Sequence, residues 1–136
     1  MKAVFDTNIL VSATLWRGSP YRCFLAVQAG LVELFVSPPI LSEFTRVLQD
    51  KFHLPAGQVA EALAVVAGAV SLVEISGTLR VVLNDPEDDK FIETAQTARA
   101  DYLVTGDHHL LKLGLQGSPR IVNARAFLDM LSQPRQ

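Results

Sequence analysis

The sequence predicts an α/β fold whose mostly parallel sheet is covered by helices on both faces, and three observations carry that reading. Runs such as KAVF (2–5), VELFVS (32–37) and YLVTG (102–106) are short and mostly apolar, as strands buried on both faces are. Segments with apolar residues at helical spacing alternate with them along the chain. Finally, 136 residues, 49% of them hydrophobic and 19% charged, suffice for one domain with a buried core.

KAVF favours a pleated, covered position and ends at Asp6. NILVSATLW then reads as a helix that stops near Gly18 and Pro20. PYRCFLAVQAG, 20–30, is a second helix, with Pro20 at its start and Gly30 at its end. After the strand at 32–37, Pro38 and Pro39 open a helix over 40–52, with Ile40, Leu41, Phe44, Val47 and Leu48 on one face. A helix from Pro55 to about Ala69 leads into a strand at 70–75. Residues 76–87 form a connection with a short extended piece at RVVL, and DKFIETAQTARA (89–100) is a helix burying Phe91, Ile92, Ala95 and Ala98. The strand at 102–106, a helical turn at HLLKL, a strand at 120–122 and a helix over ARAFLDML complete the series. One domain over 1–133 is expected, with 134–136 a frayed tail.

Composition narrows the function. The net charge is −2, so any nucleic-acid contact must rest on a local basic patch. Cys23 is the single cysteine, which excludes an internal disulfide and suits a reducing compartment; it is expected to be a small core hydrophobe. Asp6 and Asn8 interrupt any signal-peptide core, and the apolar run at 62–73 is too short to span a bilayer. A soluble, cytoplasmic protein is expected.

The acids then draw the eye. In open α/β sheets the functional crevice lies beyond the carboxyl ends of the strands. Asp6 ends the first strand, Asp107 follows YLVTG, Glu43 lies early in the helix after the second strand, and Asp89 begins the helix leading into YLVTG. Each has a plain alternative. Asp6 and Asp107 can cap the helices that follow them, and Glu43 can pair with Arg46. Asp85 suits an Asn-Asp-Pro turn, and Glu87 and Asp88 suit the positive end of a helix. Together the four are harder to dismiss. Two carboxylates about 4 Å apart repel by about 4 kcal/mol at an effective dielectric near 20, roughly three pKa units. Such a cluster holds protons or a divalent cation, and oxygen ligands suit Mg²⁺ or Mn²⁺.

FDTN (5–8), Glu43 within PPILSEFTRVL, DDKFIETA (88–95) and YLVTGDHHLL (102–111) together resemble the PIN domain (PilT N-terminal domain) over nearly the whole chain, in order. The resemblance extends to the branch of toxin components of bacterial toxin–antitoxin systems. It implies a three-layer α/β/α sandwich and Mg²⁺- or Mn²⁺-dependent ribonuclease activity. By motif position it implies Asp6, Glu43, Asp89 and Asp107 as catalytic metal ligands, with Asp88 as neighbour to the third. Asn8 and Thr105 match polar positions that support the ligands. One departure is visible: the GD pair is followed by His108 and His109, where the branch commonly has a further acid.

Arg17, Arg22, Arg46 and Lys90 are the cations placed to grip RNA phosphates. Trp16 and Phe52 suit base stacking or packing, and Trp16 with Tyr21 on the early apolar helices points to a homodimer. A cognate antitoxin is the partner a toxin implies. Two other readings compete. A receiver-like signalling module would need paired acids after the first strand and a Lys after the last; DTN and NARAF offer neither. A degenerate PIN domain that binds RNA or protein without cleavage remains the alternative.

Overall fold

The computed structural model describes residues 1–82, 86–113 and 117–133. The turn expected at Asp85, the last residue of RVVL and the tail at 134–136 fall outside them. Five short strands form one parallel sheet in the order β3-β2-β1-β4-β5: β1 Lys2–Phe5, β2 Glu33–Val36, β3 Val70–Leu72, β4 Tyr102–Val104 and β5 Arg120–Val122. The helices among the described residues are α1 Thr7–Leu15, α2 Ser19–Gln28, α3 Pro38–Asp50, α4 Ala56–Ala67, α5 Asp89–Ala98, α6 His108–Leu111 and α7 Ala124–Leu131. A 3-10 turn, Pro86–Asp88, leads directly into α5.

β1 lies at the centre, and its buried Ala3, Val4 and Phe5 explain why it reads as an apolar run. Alternation along the strand sends Phe5 and Tyr102 to the face where both meet Phe127 of α7 edge-on, at ring separations of 6.1 and 5.8 Å. α5 packs against β1, β2 and β4, while α1 packs on α2 and α3, and α2 on α7. These helices and the sheet give the three-layer α/β/α arrangement. Cys23 is fully buried and donates to the Ala124 carbonyl at 3.5 Å; burial pushes its thiol up to about 12, so it is an inert core residue.

Strand ends are shorter than the apolar runs suggest. β3 stops at Leu72, because the chain beyond Val73 gives its N–H groups to side chains instead of a neighbouring strand. Glu93 of α5 is buried and accepts four hydrogen bonds from this connection: Ser76 N–H and Oγ at 2.8 Å, Gly77 N–H at 3.0 Å and Leu79 N–H at 3.2 Å. Burial pushes that carboxyl up, but the donors outweigh it and hold Glu93 below its ordinary value. No helix among the described residues is long and apolar enough to cross a membrane.

Candidate active site

The strand order changes direction at β1, whose neighbours β2 and β4 lead to opposite edges of the sheet. Beyond the carboxyl ends of β1 and β4, at such a switch point, α/β sheets open a crevice. Here it is a cavity of about 580 Å³ lined by Asp6, Thr7, Asn8, Glu43, Arg46, Val47, Glu87, Asp88, Phe91 and Asp107.

Asp6 sits at its base. One carboxylate oxygen caps α1 by accepting from Ile9 N–H at 2.8 Å, and the other accepts from the Thr105 hydroxyl. The expected capping role and the cavity position therefore belong to the same side chain. Asp6 is 4% exposed, and burial pushes its carboxyl up from 3.8 to about 6. The Thr105 and Ile9 hydrogen bonds pull the other way, while the charges of Asp107 and Glu43 add to the rise.

Thr105 links two acids across the β1–β4 seam. It is fully buried, and while its hydroxyl donates to Asp6, its oxygen accepts from Asp107 N–H at 3.0 Å. Asp107 in turn caps α6, accepting from His109 N–H at 2.7 Å. His108 and His109 are exposed and do not line the cavity. Asn8 is exposed on the cavity's rim.

Glu43 lies in the second turn of α3, because the helix starts at Pro38, and its carboxylate is held from several sides. The buried Thr7 hydroxyl donates to Oε1, Lys90 Nζ lies 3.1 Å from Oε2, and Arg46 reaches the same oxygen at 3.6 Å. Thr7 escaped the sequence reading altogether, since a threonine opening a helix carries no signal of a partner 36 positions away.

The structure does not bring Asp89 into this group. Its side chain, 3% exposed, turns toward the connection before α5, where Oδ1 accepts from Val81 and Val82 N–H at 2.7 and 2.8 Å. Asp88, one residue earlier, lines the cavity instead. The 3-10 turn at Pro86–Asp88 sets this difference: successive residues at a helix start point about 100° apart, so one faces the crevice and the next the loop.

Of the four candidate cations, Arg46 lines the cavity and is 60% exposed. Lys90 reaches Glu43 from outside it. Arg17 donates to the Tyr21 hydroxyl at 2.6 Å and covers that ring, and Arg22 is exposed on α2; neither lines the cavity. Trp16 packs edge-on against Phe52 at 5.7 Å and remains 54% exposed.

The donors are all carboxylate oxygens, the chemistry that fits a hard divalent cation. As the side chains are placed, no three His, Cys, Asp or Glu residues among those described are close enough to hold an ion. The ties of Glu43 to Thr7, Lys90 and Arg46 are a physical reason, since they compete with any approach to the other acids.

A family profile described as "PIN domain" matches residues 2–109. Among solved structures, PAE2754 from Pyrobaculum aerophilum is similar at a TM-score of 0.66 and 15% identity, covering 97% of this chain and 90% of that one. VapBC2 from Rickettsia felis, solved bound to a DNA fragment from its promoter, is similar at 0.66 and 20% identity, covering 90% of this chain and 98% of that one. No curated protein matches the sequence.

Proposed function

The chain belongs to the PIN domain family, and from that premise we propose that it is a metal-dependent ribonuclease acting as the toxin of a toxin–antitoxin pair. PIN domains are generally nucleases and typically use divalent metal ions. The observation that carries the reading is the raised carboxyl of Asp6, at about 6, in a cavity shared with Glu43, Asp88 and Asp107. A buried carboxylate whose neighbours are also acids is costly unless a cation joins it.

Asp6, Glu43, Asp88 and Asp107 line the cavity that would receive Mg²⁺ or Mn²⁺, and their side chains would have to turn inward for three of them to reach one ion. Such an ion, when bound, polarises a phosphate and lowers the pKa of a water. The chain's own residues do the positioning. Thr105 joins Asp6 to Asp107 through one hydroxyl, which donates to the Asp6 carboxylate and accepts from the Asp107 backbone N–H, and so sets the spacing of the two residues. Asn8 offers an amide at the rim, and Arg46 offers a guanidinium whose fork matches a phosphate of the RNA. Incubation of a mixed RNA pool with Mn²⁺ or Mg²⁺ tests this. Cutting that EDTA stops is expected, and an intact pool from a folded, metal-loaded chain would remove the enzyme.

Binding without cleavage is the second reading, and one observation favours it: Glu43 is already ion-paired within the protein. RNA retained on the chain in the same assay, uncut, would select it.

The partners follow from apolar surface. Helices α1, α2 and α4 leave a groove of about 600 Å³ lined by Leu10, Leu15, Tyr21, Phe24, Leu54 and Val66 among others, beside exposed Val65. We assign this groove to an apolar segment of a cognate antitoxin, a reading supported by the likeness to VapBC2. Exposed Trp16 and Leu25 are assigned to a homodimer. Light scattering of the isolated chain should then give twice its 14.8 kDa mass; the single mass would remove the second copy.

A further inference from the structure

The outer face of α3 borders a second concavity next to the acidic one. This groove lies between α3, α4 and the end of β3, has a volume of about 540 Å³, and takes its apolar wall from Leu41, Leu63 and Leu72. That volume is within the range of small-ligand sites. Successive residues of a helix turn by about 100°, so Glu43 and Val47 line the acidic cavity while Ser42, Thr45 and Gln49 line the groove. Arg46 falls between the two sets and is the one described residue that lines both.

The Arg46 side chain is 60% exposed, and its ion pair with Glu43 Oε2 runs from Nη2 over 3.6 Å. A guanidinium carries five N–H donors, so Arg46 can hold a phosphate without leaving Glu43. A nucleotide whose phosphate rests there has its base one sugar away. On the cavity side that base would meet carboxylates, whereas the described lining of the groove holds no acid. The groove also has what an unstacked base needs, apolar surface for its face and polar groups for its edge. Leu72 is 57% exposed there. The Thr45 hydroxyl donates to the Leu41 carbonyl at 3.1 Å and keeps its oxygen as an acceptor. Gln49 is exposed and supplies a side-chain amide, an acceptor and a donor side by side.

We propose that this groove is a nucleobase subsite: it takes the base of the nucleotide whose phosphate Arg46 holds, and Gln49 reads that base's edge. The assignment rests on the reading of the chain as one that acts on RNA. The test titrates single-stranded hexanucleotides of adenylate, cytidylate and uridylate into the whole chain and follows its backbone amides by NMR. Asp6→Asn serves as the background, so that the strand stays uncut; should that variant fail to fold, wild type in EDTA replaces it. The amides of Ser42, Thr45, Gln49, Leu63 and Leu72 should shift together with that of Arg46. One hexamer should bind about tenfold tighter than the others, the discrimination expected of a paired amide. Adding Gln49→Leu should bring the three to one affinity. Groove amides unmoved by a hexamer that shifts the acidic cavity would give the groove to a protein segment and overturn the subsite, leaving the RNA reading standing. An affinity ranking unchanged in folded Gln49→Leu would overturn the role of Gln49. A folded chain that binds none of the three would overturn both the subsite and the RNA reading, whereas groove shifts beside a wild type that cuts nothing would uphold the subsite and remove the nuclease alone.

Discussion

Asp6→Asn is expected to stabilise the metal-free protein at neutral pH while abolishing metal binding at the site. Asp6 is almost fully buried, and its carboxyl is raised from 3.8 to about 6. The folded chain therefore holds a proton on Asp6 over a range where the unfolded chain has lost it. The sign follows: the stability linked to this proton is complete below about 3.8 and is lost as pH rises through about 6. At 1.36 kcal/mol per pH unit the loss is about 3 kcal/mol by pH 7. Asparagine keeps an oxygen for Ile9 N–H, turns an amide N–H donor toward the Thr105 oxygen and carries no charge, so it escapes that loss.

Thermal melts in EDTA from pH 4 to pH 7 should show wild type falling relative to Asp6→Asn by several degrees. Adding Mn²⁺ at pH 7 should raise wild type and leave the variant unmoved, because a ligand that binds only the folded state stabilises it. Parallel melting curves for the two proteins across that range would show that Asp6 carries no such strain.

Much of the fold is legible in the sequence for a simple reason. Strands such as KAVF and YLV are buried on both faces, so their apolar character is unbroken and hard to mistake. Prolines and glycines then punctuate the helices where the chain turns. Family likeness carries the same architecture, since the motifs at 5–8, 88–95 and 102–111 fall at the carboxyl ends of β1 and β4 and at the start of α5.

What stays hidden is direction. DDK offers two adjacent carboxylates, and nothing in the spacing says which faces the crevice. That choice depends on the 3-10 turn at Pro86–Asp88 and on the Val81 and Val82 N–H groups that draw Asp89 the other way. Thr7 and Glu93 are hidden for the same reason. Each meets its partners through tertiary contacts, Thr7 across 36 positions and Glu93 across as many as 17. Thr105 was visible as a small polar position, but its double duty toward Asp6 and Asp107 needs the β1–β4 pairing to appear.

Adjacent acids with opposite surroundings give the second large effect. Asp88→Asn removes a carboxylate charge from the cavity wall and keeps the side chain's shape, with circular dichroism to check that the variant is folded. Its cleavage should fall by at least about a hundredfold, since even outer partners of a metal ligand are worth roughly 10–100-fold. Asp89→Asn does the reverse. It removes the charge from a buried acceptor of two backbone N–H groups, and bonds to charged groups contribute about 1.5–3 kcal/mol each. The variant should melt several degrees lower yet keep cleavage within about tenfold, a loss that reflects a looser approach to the site.

The measurement that bears most directly on the central claim sets these two variants side by side. Mn²⁺-dependent cleavage of a mixed RNA pool would be followed at a temperature where both are folded. Loss of cutting in Asp88→Asn with cutting retained in Asp89→Asn is the result predicted from the cavity that Asp6, Glu43, Asp88 and Asp107 line together. Cutting retained in Asp88→Asn and lost in a folded Asp89→Asn would contradict it and return the third acid to Asp89.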